Sequence, residues 1–67
     1  MQTDVDESKI RLSSGRVYYD GQFMGRIYRE QAIGNPLYGY TTDSGGLYYS
    51  RMTAAIAQVR SRMRQDH

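Results

Sequence analysis

The 67-residue chain contains no cysteine and no tryptophan, and it has one proline, one phenylalanine and one histidine. Without cysteine, disulfides and thiolate metal sites are excluded. The single histidine, His67, is the last residue, where chains usually fray, so we predict no metal site and no cofactor. The core of so short a chain supplies only about 3–5 kcal/mol. The sequence therefore predicts tight packing, a second copy or a bound partner as the source of additional stability.

Long hydrophobic runs are missing as well. No segment approaches the ~18 apolar residues that a membrane span needs. The first eight residues, MQTDVDES, have neither the basic start nor the apolar stretch of a signal peptide. We therefore expect a cytoplasmic protein that has no membrane partner.

Residue sets that support catalysis are also absent from the sequence. A nucleophile needs a neighbouring base, and the only imidazole belongs to the terminal His67. Asp20 and Asp43 fall in predicted turns, where turn chemistry explains an aspartate. Gly45-Gly46 is a turn pair without the pattern of a phosphate loop. The sequence predicts a non-enzymatic protein with no small-molecule substrate.

Charge is distributed unevenly along the chain. Residues 1–8 carry three acids and no base, whereas residues 9–67 carry nine cations against four anions, a net charge of +5. Eight of these cations are arginine, whose planar guanidinium pairs with phosphates and carboxylates and stacks on aromatic rings. We interpret residues 1–8 as a flexible acidic tail and residues 9–67 as a single basic binding module. The same arginine content is also typical of an ordinary solvated surface.

The pattern of strands and turns predicts an α+β fold, an antiparallel β-meander of three to four strands packed on one C-terminal α-helix. Two β-rich runs, 16–19 and 22–29, flank Asp20-Gly21, which is a strong signal for a two-residue hairpin. The remaining expectations are strands at 37–41 and 47–49, a turn at 43–46, a loop at 31–36 and a short edge strand at 9–12.

The hairpin turn also predicts which side chains share a face. In a two-residue hairpin Tyr18 faces Phe23 and Val17 faces Met24. Because Phe23 and Ile27 are the most apolar pair, we assign their face to the core; a slip of one residue would exchange the two faces. The predicted core face carries Tyr18, Phe23, Gly25, Ile27 and Arg29, and the predicted open face carries Val17, Tyr19, Gln22, Met24, Arg26 and Tyr28.

The C-terminal segment has the pattern of an amphipathic helix. Ser50 is a good N-cap, because its hydroxyl can accept from amides of the first turn. An apolar stripe follows at helical spacing, formed by Met52, Ala55, Ile56, Val59 and Met63. A single helix covers one face of the sheet, so the second face needs another explanation.

Tyrosine is the most over-represented residue type, with seven copies in the chain. Alternation places tyrosines on both sheet faces, and an exposed face of Tyr and Arg has the composition of a binding surface. The candidate residues for binding nucleic acid or another partner are Arg16, Tyr19, Arg26, Tyr28, Tyr38, Tyr40 and Arg51, with a secondary basic patch at Arg60 and Arg64. Tyrosine is also a favoured strand residue, so cross-strand pairing or a homodimer interface is an alternative.

The runs 23–29, 37–41 and 47–49, followed by Ser50-Arg51-Met52-Thr53-Ala54, resemble a known pattern. It is that of the three-stranded-sheet DNA-binding domains of phage integrase arms and of plant ethylene-response-type proteins. The resemblance implies that the uncovered sheet face enters the DNA major groove. By position, Arg26, Tyr28, Tyr38 and Tyr40 would touch bases or phosphates, with Arg16 and Arg51 on phosphates. This chain departs from the pattern in its extra first strand, in its lack of tryptophan and at Thr53, where the family commonly has an acid.

The size and style of the chain are also similar to those of small bacteriophage host-takeover proteins, including anti-CRISPR inhibitors. That similarity implies a phage-encoded inhibitor that binds a host protein or a nucleoprotein complex in the bacterial cytoplasm. Three hypotheses therefore remain: a nucleic-acid-binding protein of phage or mobile-element type, which we favour, a host-protein inhibitor, and a homodimeric adaptor.

Overall fold

The computed structural model describes residues 5–31 and 38–65, which form a five-stranded antiparallel sheet and one C-terminal helix. The elements are a short 3-10 helix (Glu7–Lys9), β1 (Ile10–Ser13), β2 (Arg16–Tyr19), β3 (Gln22–Gln31), β4 (Tyr38–Thr42), β5 (Leu47–Tyr48) and α1 (Arg51–Gln65). The strands lie in the order β1-β2-β3-β4-β5. This confirms the predicted α+β meander with a C-terminal helix, and the predicted edge strand is β1.

Most of the predicted loop at 31–36 lies outside the described residues. No helix in the described part of the chain is long and apolar enough to cross a membrane.

The long strand β3 holds the two halves of the sheet together. Its first half pairs with β2, and its second half, from Ile27 to Gln31, pairs with β4. Asp20 and Gly21 both have positive φ, 51° and 83°, as a type I′ turn in the predicted two-residue hairpin requires. The β2–β3 hairpin is therefore the one that the sequence indicates.

A β-bulge changes the predicted register of this hairpin. Tyr18 faces Phe23 as predicted, but Val17 faces Gly25 rather than Met24. A bulge places two residues opposite one and interrupts the alternation of faces. As a result Met24 and Val17 are buried, whereas Phe23 is 43% exposed. The assignment of Tyr18 and Phe23 to the core was wrong, and so was the assignment of Val17 and Met24 to the open face.

The core lies between the inner face of the sheet and α1. Its buried hydrophobic residues are Ile10, Val17, Met24, Ile27, Ala54, Ala55 and Val59. The burial of Ile27, Ala55 and Val59 is as predicted, and Ile56 and Met63 pack partly against the cluster. Met52 was assigned to the helix stripe, but it is 36% exposed, because the buried face of α1 is centred on Ala54, Ala55, Gln58 and Val59.

Two methionines test these burial assignments as a matched pair. Met24 is 6% exposed and Met52 is 36% exposed. We expect Met24→Ala to lower the free energy of unfolding by about 2–5 kcal/mol, because it leaves a cavity in the core. Met52→Ala should change it by no more than about 0.5 kcal/mol. Urea denaturation followed by circular dichroism measures both, and equal losses would contradict the observed faces.

Gln58 joins three parts of the fold through its buried amide, which is 2% exposed. Its Nε2 donates to the Met24 carbonyl (2.8 Å), and its Oε1 accepts from the Ser44 amide (3.2 Å) and hydroxyl (3.0 Å). Gly25 makes room for this amide, since a Cβ there would collide with Gln58. The helix is thereby attached to the bulge of β3 and to the turn between β4 and β5.

The predicted flexible tail, residues 1–8, is described only from residue 5 onward. Val5 packs against the core cluster. The Asp6 carboxylate accepts from the Ser8 amide (3.0 Å) and hydroxyl (2.7 Å), and these bonds lower the pKa of Asp6. Residues 5–8 therefore have defined contacts with the module, and residues 1–4 lie outside the described residues.

Candidate nucleic-acid interface

The sheet has one face that α1 does not cover, which we call the outer face. The register places alternate residues of each strand on it, and most of them are exposed. Its main side chains are Arg11, Ser13, Arg16, Tyr18, Phe23, Arg26, Tyr28, Glu30, Thr41 and Leu47. Three of the candidate site residues, Arg16, Arg26 and Tyr28, are brought together here.

Arg16 and Arg26 lie directly opposite each other on neighbouring strands. Like charges in this position destabilise a sheet. Both residues are exposed. Within the described part of the chain, neither guanidinium forms a hydrogen bond or an ion pair. The outer face thus presents two adjacent, uncompensated cations that the fold itself does not use.

An aromatic row lies beside the arginine pair. Arg11 pairs with Tyr18, and Tyr18 pairs with Phe23 across the hairpin. The rings of Tyr18 and Phe23 meet edge to face, with centroids 5.7 Å apart and an interplanar angle of 64°. Phe23 is held in place by this contact although it is 43% exposed.

Tyr28 lies on the other side of Arg26 along β3 and is also 43% exposed. Its hydroxyl donates to Asp43 Oδ1 (2.6 Å), and Asp43 Oδ2 accepts from the Arg26 backbone amide (2.8 Å). This hydrogen bond to a carboxylate raises the pKa of Tyr28, because it favours the protonated phenol. Asp43 therefore has a role beyond the turn chemistry that the sequence indicates, since it holds the ring of Tyr28 in one position.

Two other predicted tyrosines lie on the inner side of the sheet. Tyr19 packs partly against the core, and its hydroxyl accepts from the Asp6 amide (3.0 Å). Tyr40 packs against the same cluster and pairs with Tyr48. The placement of Tyr19 on the open face was wrong, since it alternates with Tyr18, and Tyr40 does not join the outer face either. Tyr38 begins β4, and its side chain lies outside the described part of the structure.

Tyr40 and Arg51 instead line a cleft on the helix side of the sheet. The cleft has a volume of about 220 Å³, and its other lining residues are Leu12, Ser14, Gly15, Ile27 and Arg29. Arg51 is the first residue of α1, on the sheet-facing side of the helix. The structure therefore separates Arg51 and Tyr40 from Arg16, Arg26 and Tyr28.

The secondary basic patch lies on the far side of the module. Arg60 and Arg64 are exposed and one helical turn apart. At 100° per residue they project away from the buried face of Ala54 and Gln58. They are adjacent to each other as predicted, but they cannot share one flat contact surface with the outer face.

Sequence reasoning missed Arg11, Tyr18, Phe23 and Leu47 as members of the outer face. Arg11 alternates with the apolar Ile10 and Leu12, and this pattern could have identified it. For Phe23 the available signal is Gly25, since a glycine inside a strand is typical of a bulge, and the bulge at Met24 reverses the faces that strict alternation predicts.

Within residues 5–31 and 38–65 there is no group of His, Asp or Glu that could hold a metal ion. Comparisons of the chain with protein-family models, with curated proteins and with solved structures found no significant match.

Proposed function

We propose that this protein is a non-enzymatic module that binds nucleic acid through the outer face of its sheet. The observation that carries the proposal is the cross-strand pair of Arg16 and Arg26 between exposed aromatic side chains. An uncompensated pair of like charges costs stability, and a phosphate between the two would remove the repulsion. Guanidinium groups bind phosphate through paired, charge-assisted hydrogen bonds.

The charge distribution also supports this proposal. Arg11, Arg16 and Arg26 are the cations of the outer face, and residues 9–67 carry a net charge of +5. The two acids lie in the β3–β4 half of the face, Glu30 on β3 and Asp43 directly after β4, whereas Arg11 and Arg16 lie on β1 and β2. A polyanion would therefore be attracted to the paired arginines and to the β1–β2 side of the face, away from the two carboxylates.

The direct test is fluorescence anisotropy with labelled DNA and RNA, single-stranded and duplex, at about 50 and about 200 mM salt. We expect binding at the lower salt concentration and a steep loss at the higher one. Three arginine–phosphate contacts predict a slope of log affinity against log salt of about −2 for a single strand. Absence of binding to every oligonucleotide at the lower concentration would refute the proposal.

A protein partner, such as the host protein expected for an inhibitor, is the second candidate. It is favoured by two apolar side chains around β5, since Leu47 is 53% exposed and Tyr49 is 77% exposed. A pull-down from nuclease-treated bacterial lysate, repeated with Leu47→Asp, distinguishes this function from the first. Light scattering in the same buffer reports whether the partner is a second copy.

A further inference from the structure

We infer, resting on the proposed function, that the outer face binds single-stranded nucleic acid in preference to a duplex. In this arrangement bases stack on Phe23 and Tyr28, and the phosphates between them contact Arg16 and Arg26. Four observations support the inference: the exposure of the two rings, their fixed orientation, the position of Asp43, and the order of the side chains along the face.

The two aromatic side chains are exposed and already ordered. Phe23 and Tyr28 each leave 43% of their surface accessible, and Tyr18 contacts the ring of Phe23. Base–aromatic stacking is the main sequence-tolerant contact of proteins that bind single strands. Rings that are fixed before binding lose little conformational entropy when a base stacks on them.

The charge around Tyr28 indicates which part of the ligand lies there. Its hydroxyl is engaged as a donor to Asp43, so the ring is the part of the side chain that remains for a ligand. The carboxylate of Asp43 would repel a phosphate at this position. A base therefore fits beside Tyr28 better than a phosphate, while the phosphates fit at Arg16 and Arg26.

Aromatic rings and cations alternate along β3. Phe23 comes first, then Arg26 with Arg16 opposite it, and then Tyr28. At about 3.3 Å per residue, and with one residue taken up by the bulge, the two rings lie about 13–16 Å apart along the strand. In a duplex the base faces are stacked on one another, and proteins reach only the base edges in the grooves. Exposed rings would then have no base to stack on, whereas a single strand offers its base faces. This differs from the major-groove contact that the integrase-arm resemblance implies.

The test compares a labelled single strand of about 15 nucleotides with the duplex of the same sequence, at about 50 mM salt. We expect the single strand to bind at least about tenfold more tightly. Phe23→Leu should weaken single-strand binding about tenfold, because leucine keeps an apolar side chain but has no ring face. Phe23→Tyr, which restores a ring, should bind as the parent does. Met52→Ala is the matched control, an exposed apolar side chain on the helix, and it should leave binding unchanged.

The possible outcomes separate this inference from the proposed function. If the duplex binds as tightly as the single strand, or if Phe23→Leu leaves single-strand binding intact, the inference is overturned while nucleic-acid binding stands. If neither form binds the parent protein, the proposed function itself fails. Thermal denaturation of Phe23→Leu should still show one cooperative unfolding transition, lowered only by the loss of the ring contact with Tyr18, so that a loss of binding is distinguished from a loss of fold.

Discussion

Replacement of Gly25 by alanine is expected to unfold the domain. Gly25 has a φ of 120°, a region that costs other residues about 1–3 kcal/mol. An alanine Cβ would also lie 2.9 Å from the Gln58 side-chain carbon Cδ, so the buried amide would have to move. The buried Met24 carbonyl would then lose its hydrogen bond, at about 1–3 kcal/mol for an unsatisfied buried group, and Ser44 would lose its partner on the helix. The combined loss is comparable to the ~3–5 kcal/mol that a core of this size supplies.

Circular dichroism and urea denaturation measure this effect, and Gly21→Ala is its matched control. Gly21 also has a positive φ, 83°, but no atom lies within 4 Å of an added Cβ. Gly21→Ala should therefore lower the free energy of unfolding only by the cost of the left-handed backbone conformation, about 1–2 kcal/mol. In a Gln58→Ala background, Gly25→Ala should destabilise the protein less than it does in the parent, because the collision with the Gln58 side chain is then removed. Equal losses for Gly25→Ala and Gly21→Ala would contradict the described contact between Gly25 and Gln58.

Reversal of one charge in the arginine pair is the second large effect that we expect. Arg16→Glu removes a charge-assisted phosphate contact, at about 1.5–3 kcal/mol, and adds repulsion. We expect the affinity for nucleic acid to fall about 100-fold. The same substitution places a carboxylate opposite Arg26, and an opposite-charge pair across strands contributes about 0.2–1 kcal/mol. The variant should therefore be more stable than the parent and yet bind poorly, as expected when a fold carries a destabilising feature for function.

Arg60→Glu makes the same change of charge on the opposite side of the module and serves as the control. Because charges beyond a Debye length of about 10 Å at 0.1 M salt are largely screened, Arg60→Glu should have only a small effect on the affinity for nucleic acid. Anisotropy at about 100 mM salt measures affinity, and thermal denaturation measures stability. An equal loss of affinity in both variants would place the binding surface elsewhere, and a loss of stability in Arg16→Glu would contradict the repulsion between Arg16 and Arg26.

Local signals determined much of this architecture from the sequence alone. Asp20-Gly21 specifies a hairpin, since few residue pairs accept two positive φ angles. Ser50 caps α1 as expected, with its Oγ accepting from the Thr53 amide (3.1 Å). The meander, its C-terminal helix and the placement of Arg26 and Tyr28 on one face follow from such short-range rules. Strict alternation puts Arg16 on the other face, opposite Gly25, and only the bulge brings it opposite Arg26.

The tertiary structure alone decided which other side chains share that surface. Gly25 is typical of a bulge but does not fix its position, and the bulge at Met24 is tied to Gln58, 34 residues away, through the Met24 carbonyl. One extra residue in a strand reverses every face before it, because side chains alternate with a period of two. For this reason Phe23 lies outside and Tyr19 inside, although local alternation predicts the opposite.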